Sequence, residues 1–143
     1  MRITDFRKAP RRGFLKAVLG LGLAPLAASA AGMDRPAQRR GILLQHSPVA
    51  GFQYHDGESI WHRLRAGDNL ALVREPGNRY DSRAIAVYWK RHKLGYVPRR
   101  VNATLAQMLD RGQQLHARIS RLVETESPWM RLTMEIRLPP EQA

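Results

Sequence analysis

The chain is expected to be mainly β, a small antiparallel barrel with one or two helical inserts. Three observations carry this expectation. Residues 130–138 alternate cleanly, with Met130, Leu132, Met134, Ile136 and Leu138 on one side and Arg131, Thr133, Glu135 and Arg137 on the other, the period-two signature of a strand buried on one face. Residues 84–89 (AIAVYW) are β-branched and aromatic, and Lys90, Arg91 and His92 separate them from residues 93–97 (KLGYV); together they predict a hairpin. Strand-length and helix-length patterns do not alternate along the chain as a parallel sheet requires.

From the N-terminus, residues 1–31 read as an export signal. Arg11 and Arg12 precede an apolar run, residues 17–26, and then Ala28, Ser29 and Ala30: a basic region, a short apolar region and a small-x-small exit. The run is shorter than the roughly 20 residues that span a bilayer as a helix, so no integral span is expected in the mature chain. RRGFLK resembles the twin-arginine signal, which implies a bacterial protein exported after folding, with cleavage after Ala30 and a periplasmic or secreted location; unused, the signal leaves a cytoplasmic protein.

Residues 32–47, rich in Arg, Gly and Pro, are expected to be a linker or arm, residues 48–138 the globular domain, and residues 139–143 a tail. Within the domain, residues 70–73 (LALV) predict a buried strand. Pro98 ends the second strand of the hairpin because it offers no ladder donor. Val101, Leu105, Met108 and Leu109 fall on one helical face, and Gly112 is placed to end that helix. Residues 115–123 alternate partly and predict a further strand. Tyr88 and Trp89, as neighbours in one strand, point to opposite faces, so one of them is expected to be buried there.

Lys and Arg total 24 against 12 Asp and Glu, a net charge of +12 on 143 residues. Residues 32–143 keep +7 of it. Cysteine is absent, which excludes disulfides, thiolate nucleophiles and Cys-type zinc sites. His46, His55, His62, His92 and His116 are scattered without a metal-binding spacing, and no phosphate-binding G-x-x-x-x-G-K-[ST] loop occurs. The expectation is therefore a non-enzymatic protein with no cofactor and no metal. A small site built from His55 with Asp56 or Glu58 is the enzymatic alternative.

The densest turn chemistry is REPGNRYDSRAIAV, residues 74–87. From the residues alone this is a rigid β-connection, since Pro76, Gly77, Asn78 and Asp81 all favour turns. Taken with VAGFQYHDGESI (49–60), Gly67 and KLGYVPRR (93–100), it resembles the HIRAN domain over residues 48 to about 125. The resemblance implies an OB-like or SH3-like barrel that binds DNA, particularly single-stranded ends carrying a 3′-hydroxyl. It also implies an aromatic pair on the first strand that stacks on terminal bases, and an aspartate that accepts a hydrogen bond from the 3′-hydroxyl. In this chain the pair falls on Tyr54 and His55, the preceding basic position on Gln53, and the aspartate on Asp81. The implied binding set is Gln53, Tyr54, His55, Arg74, Asn78, Tyr80, Asp81, Lys93, Arg99 and Arg100. An exported envelope module that binds an anionic polymer, a lipid head group or an acidic protein is the alternative that the charge also suits.

Overall fold

The computed structural model describes residues 41–140; the expected signal peptide, most of the expected linker and the last three residues lie outside them. Strand β1 is Ile42–Pro48, β2 Asn69–Arg74, β3 Ile85–Trp89, β4 His92–Tyr96, β5 His116–Leu122 and β6 Leu132–Leu138. They form one antiparallel sheet in the order β1-β6-β5-β2-β3-β4. Just beyond β1, Ala50 and Tyr96 exchange both backbone hydrogen bonds, at 2.8 and 2.9 Å, so the chain leaving one edge of the sheet is joined to the other edge. The result is the expected mainly β, barrel-like fold.

The alternation of residues 132–138 sets the core. Leu132, Met134 and Ile136 are fully buried against Ile85, Val87, Leu94, Ile119 and Phe52, and each such side chain contributes roughly 1.5–3 kcal/mol by leaving water. Glu135, on the other side of β6, is also covered, because Arg118 and Arg137 close over it at 2.5 and 3.0 Å. Met130 falls outside the strand. It belongs to the short helix α3, Pro128–Arg131, and is exposed along with Trp129; the proline fits a first helical turn, where no amide donor is needed.

Helix α1 is Gly57–Ile60 and helix α2 is Ala103–Asp110. Leu105 and Ala106 anchor α2 in the core, and Gly112, at φ 81°, ends it with its amide on the Leu109 carbonyl at 3.0 Å. Val101 precedes that helix in a 3-10 turn, Arg99–Val101, and is exposed. Trp89 is buried and Tyr88 half-buried. Among the described residues, no helix is long and apolar enough to cross a membrane.

Two expectations are corrected. Strand β1 begins at Ile42, inside the stretch read as a linker over 32–47, so the domain begins ahead of residue 48. The pairing of β1 with β6 shifts register between Leu43 and Gln45; a bulge of this kind breaks the period-two pattern, and the exposed Ile42 and Leu43 remove the burial contrast. Tyr54 lies not on a strand but in the 3-10 turn Phe52–Tyr54, because burial of Phe52 turns the chain inward immediately after Gly51.

Candidate nucleic-acid interface

The connection between β2 and β3 is built by its own side chains. Asn78 Oδ1 accepts the Tyr80 and Asp81 amides at 2.9 and 3.2 Å, and Asn78 Nδ2 donates to Glu75 at 3.1 Å. Asp81 Oδ1 accepts the Arg83 amide at 2.9 Å, and its Oδ2 accepts Asn102 Nδ2 at 2.7 Å. Arg74 straps the turn from below. It donates to Asp110 at 2.9 and 3.1 Å and to the carbonyls of Ala84 and Ser82 at 2.6 and 3.0 Å. Asn102, fully buried at the start of α2, thus fixes the Asp81 carboxylate to the barrel.

Beside the turn stands a polar network. Glu75 accepts Lys93 Nζ at 2.8 Å and the Tyr96 hydroxyl at 2.9 Å, while Lys93 Nζ also reaches the Tyr96 oxygen at 2.6 Å. The Lys93 hydrogen bond, with those of Asn78 and Tyr96, holds the Glu75 carboxyl below its usual range against the opposing effect of burial. Burial works against charge on Lys93, but Glu75 and Tyr96 more than compensate and raise its pKa. Lys93 is therefore a charged group already paired within the fold.

Between turn and network opens a cleft of about 560 Å³, lined by Ala50, His55, Asn78, Arg79, Tyr80, Asp81, Ala84, Tyr96, Val97 and Arg99. The rings of His55 and Tyr96 meet edge to face at 5.7 Å. Burial, then the nearby Lys93, lowers the His55 pKa, with Asp56 and Glu75 acting the other way; at neutral pH the imidazole is an uncharged ring. Burial disfavours the ionised form of Asp81, but the Arg83 amide, the Asn102 side chain and the charges of Arg99 and Arg83 outweigh it and hold its pKa low. The cleft therefore combines aromatic surface, an apolar floor, arginines and one fixed carboxylate, the chemistry needed to meet a base, a phosphate and a hydroxyl.

Of the residues expected from sequence, His55, Asn78, Tyr80, Asp81 and Arg99 line this cleft. Gln53, Tyr54 and Arg100 do not, although Tyr54 is 80% exposed immediately before His55. Arg74 and Lys93 serve the scaffold. Asp56 lies 3.5 Å from His92 and Glu58 pairs with Arg131, and neither acid hydrogen-bonds the His55 ring as the enzymatic alternative required. Sequence reasoning named neither Arg79 nor Tyr96 as a site residue, although they lie in two of the motifs it singled out, residues 74–87 and 93–100.

The HIRAN domain family model matches residues 42–140. The chain belongs to the HIRAN domain family. HIRAN domains are binding modules for nucleic acid rather than catalytic domains. A crystal structure of a protein from Lactobacillus plantarum resembles this HIRAN domain at 30% identity and a TM-score of 0.54, covering 68% of this chain and 96% of that one. The crystal structure of the HIRAN domain of human HLTF, at 20% identity and a TM-score of 0.53, covers 71% of this chain and 82% of its own and shares the fold. No curated protein matches.

Proposed function

We propose that this HIRAN domain binds single-stranded DNA by its free 3′ end in the cleft between residues 78–81 and 96–99. The observation that carries the reading is the Asp81 carboxylate, ionised and immobilised in the wall of an aromatic cleft with Arg79 and Arg99 beside it. A fixed carboxylate accepts a hydrogen bond from a terminal hydroxyl but repels a terminal phosphate. Its two oxygens keep lone pairs beyond those that Arg83 and Asn102 use. His55 and Tyr96 supply the ring surface, at about 1–3 kcal/mol per stacked base and without sequence preference.

Fluorescence anisotropy of the full chain, titrated with single strands ending in 3′-hydroxyl or 3′-phosphate at two salt concentrations, tests this. Tighter binding of the hydroxyl end, by about tenfold as expected for one hydrogen bond to a charged group, and loss of that preference in Asp81→Asn are the expected results. Equal binding of both ends, erased by salt, sinks end capture and leaves a basic surface. The RRGFLK motif supports export of the domain after folding, so the ligand would be DNA outside the cell membrane; fractionation of cells that express the full chain, beside one with Arg11 and Arg12 changed to Lys, reads that location.

A further inference from the structure

A second concentration of positive charge lies at the far end of the β3–β4 hairpin. Trp89 pairs with His92, so Lys90 and Arg91 alone form the tip. Three groups surround the Trp89 indole. The Lys90 ammonium lies 4.4 Å from its centroid, the Arg63 guanidinium 5.2 Å, and the His92 ring stacks at 6.0 Å with 23° between the planes. Trp89 is buried and donates its Nε1 hydrogen to Asp68 at 3.0 Å, so the ring is a fixed base for the cations around it. The neighbouring acids are engaged, Asp68 with Trp89 and Asp56 with His92. Lys90, Arg91 and Arg63 form no ion pair among the described residues.

Lys90 adopts φ 55°, the one positive value at a non-glycine position among the described residues. Glycine or asparagine would sit there with less strain. A lysine in that conformation places an ammonium at the outermost point of the hairpin, and strain retained at an exposed charged site points to use of the charge.

We infer that the hairpin tip is a second phosphate-binding surface, which holds the backbone of the same strand several nucleotides away from the end seated in the cleft. The inference rests on the reading of the cleft given above. Residues 84 to 90 run from cleft to tip, about 20 Å at roughly 3.3 Å per residue. That length matches about six stacked nucleotides at about 3.4 Å each. Because Trp89 is buried, the tip presents cations and no stacking ring, so it recognises phosphodiesters and not bases.

Anisotropy of the full chain with single strands of about 4 and about 12 nucleotides, both ending in 3′-hydroxyl, separates the two surfaces. The wild type is expected to bind the longer strand more tightly. Lys90→Glu with Arg91→Glu is expected to lose about tenfold on the longer strand and nothing on the shorter. The slope of log affinity against log salt should fall by about 1.4, the release expected for two phosphate contacts on a single strand. Lys90→Gly controls for folding, since it should melt at a higher temperature than the wild type and still bind the longer strand more weakly. Equal wild-type affinity at both lengths, or a longer-strand affinity that ignores both variants, overturns the tip and leaves the cleft standing. Binding of only the longer strand, abolished by the double variant, would leave a phosphate-binding tip without end capture, which sinks the cleft and overturns the tip as a second contact on a captured strand. No binding of either strand overturns both.

Discussion

At its Ala84 end, strand β3 is reached through residues 75–84, a turn in which Asn78, Asp81, Glu75 and Arg74 all hydrogen-bond within the fold. At its Trp89 end it is left through Lys90 and Arg91 alone, with Lys90 in a conformation that suits glycine. The first turn carries two acids and two bases, and its acids, with Arg74 beside it, hold it in shape; in the second, the backbone makes the turn and the cations remain exposed. The position of a basic residue in the sequence therefore says less about its task than the acceptors within its reach. Arg74 and Lys93, both in the binding set implied by the sequence, are tied to acceptors of the fold, Arg74 to Asp110 and two carbonyls and Lys93 to Glu75.

The comparison can be broken most severely at Gly95. A Cβ there would overlap the Ala50 carbonyl, and the backbone lies at φ 146°, so Gly95→Ala should cost about 3 kcal/mol or more by denaturant unfolding and open the cleft end of the hairpin. Arg74→Ala comes next. Removing the donor to two carbonyls of the braced turn should cost about 2 kcal/mol, whereas Arg91→Ala at the tip should leave the unfolding midpoint within about 0.5 kcal/mol of the wild type.

A pH series sharpens the contrast. The folded Glu75 carboxyl lies below its ordinary value of 4.5, so its contribution is present above that value and is lost as pH falls through the folded pKa. Thermal melts of the wild type and Glu75→Gln should differ at pH 7 and converge in acid. A small effect of opposite sign is the gain from Lys90→Gly, about 0.5–1 kcal/mol as the left-handed conformation is relieved.

Much of the barrel was legible because burial imposes a period. Residues 132–138 carry it, whereas the hairpin and residues 70–73 showed themselves by β-branched, aromatic and apolar content, the hairpin strand Ile85–Trp89 being buried at four of its five positions. The strand Ile42–Pro48 does not carry the period, since its register shift and exposed Ile42 and Leu43 remove the contrast that marks a strand. The short helical segments over residues 52–63 are each too brief for a helical period to register. At the site, the motif around Asn78 and Asp81 supplies one wall of the cleft. Sequence could not show that Glu75 takes up Lys93, nor that His55 faces the cleft while its neighbour Tyr54 does not line it, because partner and direction are properties of the folded chain.

The pair of backbone bonds between Ala50 and Tyr96 also has a mechanical consequence. These residues fasten the barrel and line the cleft as well, so latch and cleft wall share the same residues. The amide hydrogens of Ala50 and Tyr96 trade with deuterium only when the latch lifts. A strand lying across it would slow that trade, and tension on a captured strand would be felt first at the barrel's own fastening.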